Sequence, residues 1–417
     1  MTAALNVADA GFDVTLVERD GELGGNLRYV YYVAEGENPQ RLLRDLVNRV
    51  IGHERIEVLT RTEVIAHSGR VGEFHSILRT QPRVKGQPPT EAEVTHAVTI
   101  VATGGQEWRG DVYLLGQDPR VVTAMELEDI LVHRPERIDE LKQVTFIQCV
   151  RPPGTVEYCS RVCCTNTMKN AARVKMLNPN CQVVVLYKDI ITYGFREAYY
   201  TEARRRGVLF VRYDDEHMPT LNTVGSRLQL TAWDPSLKQD IPLRPDLVVL
   251  SMAVQPSPGT AELAHVLDVP LSSEGFFMEA HLKMRPMDFI REGVFFCGMA
   301  HYPKFIDECI ANAQATAARA LTILTKDVLY VGGVIAEVDQ SKCVGCLTCV
   351  RTCPFEIPKV RYVDVGVGGI KGAAFIEPAL CQGCGTCTAE CPAKAIQLRA
   401  YRDEQIMAQP LGAWGEG

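Results

Sequence analysis

Several features are missing from this chain of 417 residues. It contains no apolar run long enough to cross a bilayer, and its longest apolar stretches, such as 247–250, have the length of a β-strand. The N-terminus lacks the charged and then apolar pattern of a secretory signal peptide. Acidic residues outnumber basic ones, and the formal net charge of -7 argues against general nucleic-acid binding. We therefore expect a cytoplasmic protein without a transmembrane segment.

One catalytic pattern and one cofactor-binding pattern are absent as well. No Ser-His-Asp or Cys-His nucleophile arrangement stands out, so hydrolytic chemistry has no support. The G-x-G-x-x-G turn, whose backbone amides bind a dinucleotide pyrophosphate, is also missing. The second absence is informative, because other parts of a dinucleotide-binding fold are present.

Cysteine, by contrast, is abundant, with 15 residues in a chain that shows no secretion signal. Such a number indicates metal binding rather than disulfides. Two C-terminal runs follow the pattern C-x-x-C-x-x-C-x-x-x-C-P, in which three thiolates bind one four-iron cluster and the fourth binds the cluster of the other run. The predicted ligands are Cys343, Cys346, Cys349 and Cys391 for the first cluster, and Cys381, Cys384, Cys387 and Cys353 for the second.

Zinc sites or a disulfide module are the alternative for these runs, because C-x-x-C pairs also bind zinc. Neither alternative explains why the x3-C-Pro ending occurs twice. Equivalent segments open the two runs at Asp339 and Glu377, which indicates a two-fold ferredoxin module over residues 339–400. Residues 325–338 are a connector to this module, and residues 401–417 are a peripheral tail.

The first 325 residues alternate strand-like and helical patterns, as α/β proteins do. A helix predicted over 2–10 is followed by a strand that ends at Glu18, where dinucleotide-binding folds place the acid that binds ribose hydroxyls. An exposed acid after a strand is also common without that role. Gly24 and Gly25 resemble the glycine pair of many flavoproteins. The helix predicted over 2–10 corresponds to the helix that follows the G-x-G-x-x-G turn in complete dinucleotide-binding folds. Met1 is therefore interpreted as an internal methionine or the first residue of a fragment.

Later segments favour the same fold. Residues 98–105 are a strand that ends in the Ala-Thr-Gly turn typical of two-dinucleotide-domain flavoproteins, and 245–251 is a strand on return from an inserted domain. Residues 293–324 match the last strand-turn-helix, although Met299 replaces the usual aspartate. We predict an FAD-binding domain over 1–140 and 245–325 that lacks the glycine turn. Its candidate cofactor contacts are Glu18, Arg19, Gly24, Gly25, Asn26, Ala102, Thr103, Gly104, Gly298, Met299, Pro303 and Lys304.

A second dinucleotide-like unit is predicted over 141–244. A nicotinamide-binding unit needs glycines between its first strand and its helix, but this turn offers only Gly154 and carries cysteines instead. Direct NAD binding is therefore disfavoured. Four thiolates at a helix N-terminus could hold a third cluster, whereas the nonstandard spacing C-x9-C-x3-C-C leaves buried or redox-active thiols as the alternative. These cysteines, called the quartet below, are Cys149, Cys159, Cys163 and Cys164.

The sequence around the quartet closely resembles the HdrA-like family, the iron-sulfur flavoproteins of heterodisulfide reductases. The resemblance rests on Phe-Ile-Gln-Cys149-Val, Cys159-Ser-Arg-Val-Cys163-Cys164, the segment 189–197, the segment 213–216 and the turn 300–304. It implies an α/β protein with a thioredoxin-reductase-like two-dinucleotide-domain flavoprotein fold, whose first strand is missing, and a C-terminal α+β double-cluster ferredoxin domain. It also implies FAD and three 4Fe-4S clusters, one of them on the quartet beside the flavin. The first gap of the quartet is shorter than the family pattern.

The resemblance further implies a role. In that family the flavin splits electron pairs from hydrogenase or formate dehydrogenase partners and sends one electron toward ferredoxin and the other toward a disulfide-reducing subunit. The chain is then an oxidoreductase subunit of a hetero-oligomer that performs flavin-based electron bifurcation or transfer. Lys169 is a candidate for placing positive charge near the isoalloxazine ring, with a solvated helix lysine as its alternative.

Two other functions compete with this role. A non-catalytic ferredoxin-type wiring subunit with a defective flavin site would retain iron without flavin. A self-contained NAD(P)H-dependent oxidoreductase is disfavoured by the missing glycine loop of the second unit. Among the remaining residues, Tyr193, Phe195 and Arg196 are interpreted as a packed loop with an ion pair, and the unpaired cysteines as buried small apolar residues. These cysteines are Cys181, Cys297 and Cys309.

Overall fold

The computed structural model describes residues 1–84, 86–152, 154, 158–329, 334–378, 380–402 and 404–408. The chain divides into two compact units, Met1–Leu324 and Thr325–Gly417. Within the described ranges, no helix combines the length and the apolar character needed to cross a bilayer.

The first unit alternates helices and strands. Its helices are α1 (Thr2–Asp9), α2 (Pro39–Ile51), α3 (Ala124–His133), α4 (Glu136–Asp139), α5 (Cys163–Leu177), α6 (Glu197–Arg205), α7 (Thr260–Leu267) and α8 (Ile306–Leu324). Its strands are β1 (Val14–Glu18), β2 (Ile56–Thr60), β3 (Thr62–Arg70), β4 (Glu73–Thr80), β5 (Thr90–His96), β6 (Thr99–Val101), β7 (Gly105–Glu107), β8 (Val121–Thr123), β9 (Gln143–Val150), β10 (Gln182–Tyr187), β11 (Leu209–Arg212), β12 (Thr220–Val224), β13 (Arg227–Asp234), β14 (Gln239–Leu243), β15 (Leu247–Met252), β16 (Val254–Pro256) and β17 (Val294–Phe296).

The predicted FAD-binding part contains two short parallel strand pairs. β1 pairs with β2, and β6 pairs with β17, each in parallel register. In a doubly wound sheet another strand separates the equivalents of β1 and β6, and among the described residues the two pairs form separate sheets. Helix α1 buries its apolar face against the start of β1 and α8, where Ala3, Val7 and Ala317 share a core cluster. The antiparallel meander β3-β4-β5 and the pair β7-β16 complete this part.

The largest sheet has the strand order β11-β10-β9-β15-β8, and its pairings are parallel. The central strands β9 and β15 are buried on both faces, as continuous apolar runs in parallel sheets are. One face packs on α3 and α5 through Phe146 and Met168, and the other packs on β12-β13-β14 through residues such as Leu230.

The end of α1 agrees with the sequence. Gly11 follows this helix in the left-handed region at φ +96°, a backbone conformation that glycine adopts easily after a helix.

Two strands lie elsewhere than the sequence indicated. β8 falls within the range 1–140 predicted for the FAD-binding part, but it pairs with β15 at the edge of the large sheet. The sequence groups the segment 245–251 with the FAD-binding part, but β15 pairs with β9 from Leu247 opposite Val144 to Leu250 opposite Ile147. It is therefore a central strand of the large sheet. A run of buried apolar residues shows that a strand is central in a parallel sheet, but it does not identify the sheet.

The second unit contains α9 (Thr348–Thr352), α10 (Thr386–Ala389), β18 (Ala336–Val338), β19 (Lys359–Val365), β20 (Lys371–Phe375) and β21 (Ile396–Leu398). β18 pairs with β21 and β19 with β20, both antiparallel. Its core is built from small side chains such as Ala373 and Ala395 together with buried cysteines. The two short helices follow equivalent left-handed residues, Leu347 at φ +63° and Gly385 at φ +79°, which reflects the internal repeat.

Candidate functional site

The first unit contains a cleft of about 2050 Å³, lined by the facing edges of β1 and β6 and by the starts of α1 and α5. Typical ligand pockets enclose roughly 300–1,000 Å³, so the cleft can accept a dinucleotide. Eleven of the twelve candidate FAD contacts line it. Pro303, which is buried, is not among the described residues of its wall.

Local contacts hold the first group of candidates in place. Glu18 ends β1, and its carboxylate accepts a hydrogen bond from the amide of Asp20 at 2.9 Å. Asn26 donates from Nδ2 to the carbonyl of Gly105 at 2.7 Å, which ties two stretches of the cleft wall together. Gly24 has φ +118°, and a Cβ there would lie 2.7 Å from Cδ1 of Leu43. The backbone conformation therefore favours glycine at this turn, whereas the Leu43 side chain could move to relieve the close contact.

A cation lies on the opposite part of the wall, at the Gly298 turn. Lys304 donates from Nζ to the carbonyl of Gly298 at 3.2 Å and contacts Nδ1 of His301 at 3.1 Å. His301 in turn contacts Glu279 through Nε2 at 2.9 Å. Burial is the main cause that lowers the pKa of Lys304, to about 8. The turn thus presents a lysine whose charge is easily lost, where the usual aspartate is replaced by Met299.

Lys169 is buried in an ion pair on the cleft wall. Its side chain is 7% exposed, and Nζ lies 2.6 Å from Oε2 of Glu128, which is 3% exposed. Nζ also donates to the carbonyl of Tyr32 at 2.7 Å and lies 4.3 Å from the centroid of that ring. Burial lowers the pKa of Lys169, and the Glu128 carboxylate opposes this effect. The alternative of a solvated helix lysine is therefore wrong.

The structure brings the quartet together at the start of α5. Burial raises the pKa of Cys149 to about 11, and the thiols of Cys164 and Cys159 raise it further. The pKa of Cys163 is raised by its hydrogen bond with Cys164, by burial, and by the nearby Cys149 and Cys159 thiols. Cys163 also lines the cleft. A group bound by the quartet would therefore lie beside any ligand of the cleft.

The backbone around the quartet is arranged to expose sulfur ligands. Cys149 lies in the left-handed region at φ +59°, next to the register shift between β9 and β15. This bulge redirects the side chain at the end of the strand. The sulfur of Cys159 accepts a hydrogen bond from the amide of Arg161 at 3.3 Å, and that of Cys164 accepts one from the amide of Ile191 at 3.4 Å. Amide donors to sulfur suit thiolates, so the residues fit an iron-sulfur cluster.

The second unit brings together the two ligand sets that the repeated motif predicts. Burial raises the pKa of Cys349, and Cys343, Cys346 and Cys391 raise it further. Burial raises the pKa of Cys387 to about 11, with added contributions from Cys381, Cys353 and Cys384. In each set the fourth cysteine comes from the other run. The cysteines of the first set also line one small cavity.

The surroundings of these sets fit cluster binding as well. Backbone amides donate to three of the sulfurs at 3.2–3.3 Å, from Ala374 to Cys343, from Ala336 to Cys381 and from Ala395 to Cys391. Among the described residues, no group of three or more His, Cys, Asp or Glu side chains is arranged around a single metal ion. A cubane differs from such a site because its cysteines bind separate iron atoms. Each set consists of four cysteines with one from the other run, which is the ligand pattern of a double four-iron ferredoxin.

Comparisons with known proteins agree with this geometry. Residues 342–396 match the 4Fe-4S dicluster domain family. The HdrA component of the ferredoxin:CoB-CoM heterodisulfide reductase of Methanosarcina mazei is 31% identical, over 98% of this chain and 61% of that protein. The corresponding component from Methanosarcina acetivorans is 27% identical, over 100% of this chain and 66% of that protein. By this similarity the chain is an HdrA-like iron-sulfur flavoprotein.

The chain spans about half to two thirds of the length of such relatives. The HdrA component of the H2:CoB-CoM heterodisulfide,ferredoxin reductase of Methanothermobacter thermautotrophicus is 34% identical, over 79% of this chain and 51% of that protein. Two solved structures share the fold at 14% identity over 78% of this chain. They are thioredoxin reductases of T. acidophilum, with a TM-score of 0.52 over 93% of that chain, and Lactococcus lactis, with a TM-score of 0.54 over 95%. The predicted thioredoxin-reductase-like fold with a ferredoxin domain is confirmed.

Some residues of this HdrA-like protein were missed by sequence reasoning. Glu128, the partner of Lys169, lies 41 residues earlier in α3 and carries no motif. Glu107 lines the cleft, and burial raises the pKa of its carboxyl to about 7. The sequence around Glu128 and Glu107 gives no signal for the ion pair or the cleft position, because both depend on helices and strands that meet only in the folded chain.

The other interpretations from sequence had mixed outcomes. Arg196 forms the expected ion pair, with Nη2 2.9 Å from Asp307, and its guanidinium lies 3.9 Å from the centroid of Phe305. Phe195 is fully exposed, so its assignment to a packed loop is wrong. Cys181 and Cys297 are buried as expected. Cys309 is only partly buried and lines the cleft.

Proposed function

We propose that this chain is the FAD and iron-sulfur electron-transfer subunit of a heterodisulfide-reductase-like complex. The observation that supports it most is the shared wall of one cleft, where Cys163 of the quartet stands with Lys169 and the candidate FAD contacts. The FAD that would bind there supplies the change between two-electron and one-electron chemistry. The residues of the chain would bind this cofactor, orient it and place charge beside it.

Each part of the cleft has a proposed role. Glu18 binds ribose hydroxyls at the end of β1, as the acid at this position does in dinucleotide-binding folds. Lys304 and Lys169 place two cations on the wall, and positive charge there stabilises an anionic ligand. The Glu128 carboxylate holds the Lys169 ammonium at 2.6 Å and fixes its direction. Lys169 is therefore proposed to tune the cofactor, a role supported by its position on the cleft wall.

We propose three 4Fe-4S clusters. Two are held in the ferredoxin domain by the crossed ligand sets described above, and the third by the quartet. The support for the third is the mutual proximity of its four thiols and the amide donors to Cys159 and Cys164. Redox-active thiols without iron are the competing interpretation.

The partners are proposed from the relatives. The names of the related proteins specify ferredoxin or H2 together with the CoB-CoM heterodisulfide. We propose that this chain acts in the same way, with flavin-based bifurcation or transfer between a hydrogenase or formate dehydrogenase component, ferredoxin and a disulfide-reducing partner. The corresponding assembly is a hetero-oligomer.

Anaerobic purification of the full chain, followed by iron and flavin analysis, tests the cofactor content. Three clusters give about twelve irons per chain, with one FAD. The variant Cys163→Ala is expected to lose about four irons, whereas Cys297→Ala, a buried cysteine outside the quartet, should retain them. About eight irons in the unaltered chain would contradict the third cluster. Iron without flavin, even with partner subunits present, would favour the wiring subunit.

A further inference from the structure

The carboxamide of Gln148 is fully buried and lacks a hydrogen-bond partner among the described residues. Its exposure is 0%, and neither Oε1 nor Nε2 makes a hydrogen bond. A buried polar group without a partner is rare in native proteins, and each case requires an explanation, such as a bound group. Gln148 precedes Cys149, the first cysteine of the quartet.

The direction of this side chain follows from the sheet. Alternate residues of a strand point to the same face, so Gln148 shares a face with Phe146, which packs in one core cluster with Met168 of α5. On the neighbouring strand, Ser251 follows Leu250, the residue paired with Ile147. The hydroxyl of Ser251 contacts that of Thr167 on α5 at 2.9 Å. This face of the sheet therefore meets α5 beside Gln148.

Two observations place Gln148 near the quartet. It lies directly before Cys149, whose thiol is close to those of Cys159 and Cys164. Cys164 is buried in the first turn of α5, three residues before Thr167, the residue that contacts Ser251. α5 begins at Cys163, and the side chain of its N-cap residue Val162 accepts no hydrogen bond, so the first amides of the helix remain available as donors beside the quartet.

We infer that the Gln148 carboxamide donates a hydrogen bond to a sulfur of the cluster held by the quartet and thereby sets its reduction potential. The inference rests on the proposed third cluster. A carboxamide has two N–H donors. Donors to cluster sulfurs stabilise the more negative, reduced form, and such hydrogen bonds are one determinant of cluster potentials. Gln148 thus acts on the electron-carrying group by direct contact.

The test is a redox titration of the full chain, followed by electron paramagnetic resonance. The signal to follow is the one that Cys163→Ala abolishes. Gln148→Met keeps the approximate volume and removes the donors, so the midpoint potential of that signal should fall while the iron content stays unchanged. Thr145→Val is the matched control. Thr145 is fully buried on the same strand, and its hydroxyl is unpartnered among the described residues, but it points to the opposite face.

The outcomes separate this inference from the proposed function. An unchanged potential in Gln148→Met, with all iron retained, overturns the role of Gln148 and leaves the third cluster standing. An equal shift in Thr145→Val also overturns it, because a general effect of repacking would then be the cause. If no signal depends on Cys163 and about eight irons are found, the third cluster and the role of Gln148 both fall.

Discussion

Lys169 of α5 and Glu128 of α3 form a buried ion pair on the cleft wall, with Nζ and Oε2 2.6 Å apart. The other carboxylate oxygen of Glu128 accepts a hydrogen bond from the amide of Tyr31 at 2.6 Å. One carboxylate therefore joins a helix, the loop before α2 and the lysine that faces the cleft. Such a pair fixes the position of a charge, and its removal affects both stability and any bound cofactor.

Replacement of Glu128 by glutamine should destabilise the chain. Breaking a buried pair typically costs about 3–5 kcal/mol, because the remaining charge loses its partner. We expect the free energy of unfolding of the first unit to fall by an amount near the lower end of that range, measured by denaturant titration. The control is Glu136→Gln on α4, where the side chain is exposed, with an expected change within about 0.5 kcal/mol. Equal effects of the two substitutions would contradict the structural importance of the pair.

Lys304 should give the stability a specific pH dependence. Its pKa is about 8 in the folded chain, below the ordinary value of 10.5, chiefly because of burial. Between these values the unfolded state binds more protons, so this group makes the free energy of unfolding rise with pH. Lys304→Met should therefore show a smaller rise from pH 8 to 10.5 than the unaltered chain, in denaturant titrations at several pH values. Lys283→Met, at an exposed position, should leave the slope unchanged.

Two glycines of the ferredoxin domain should differ in their tolerance of alanine. A Cβ at Gly383 would lie 2.3 Å from the carbonyl oxygen of Val334, and φ there is +66°. Gly385 also has a positive φ, but its nearest contact is the flexible side chain of Leu398 at 3.1 Å, and Leu347 occupies the equivalent position of the first run. Gly385→Ala should cost about 1–2 kcal/mol, and Gly383→Ala clearly more. Thermal unfolding and iron content measure both, and a milder effect at Gly383 would contradict the close contact.

The crossed ligand sets can be tested by single cysteine variants. Cys391→Ala should affect the same cluster as Cys349→Ala, because their thiols belong to one set. Cys353→Ala should affect the other cluster, together with Cys387→Ala. The spectra of reduced samples compare the pairs, and each variant should lose the signal of one cluster. Grouping of Cys391 with Cys387 instead would show that each run binds its own cluster.

The parts that sequence predicted are those with local signals. The helix predicted over 2–10 is observed as α1, and the strand-turn-helix predicted over 293–324 contains β17 and α8, because their apolar periodicity and their flanking turns are contained in the segment itself. The family resemblance and the repeated cysteine motif also predicted the fold class and the dicluster domain correctly.

The parts that sequence did not predict depend on distant contacts. The Lys169–Glu128 pair joins two helices, and neither residue lies in a motif that reveals the other. The strand 247–252 was placed in the wrong sheet because burial on both faces does not specify the neighbouring strands. The carboxamide of Gln148, which lacks a partner among the described residues, could not be predicted either. Glutamine is usually a surface residue, and nothing in its mostly apolar strand indicates a further role.

The facing edges of β1 and β6 also present main-chain hydrogen-bonding groups to the cleft. The amide of Val14 points toward β2, so the peptide groups of Thr15 and Val17 point the other way. The amide of Thr99 donates to the carbonyl of Gly293, and the carbonyl of Val101 accepts from the amide of Cys297, both on the side of β17. The peptide groups of Ile100 therefore point away from β17. Two rows of main-chain donors and acceptors thus border the same space. In a doubly wound sheet a further strand lies between such edges, so these peptide groups suit pairing with an extended chain segment. Most substitutions leave peptide groups intact, and proline is the replacement that would remove a donor.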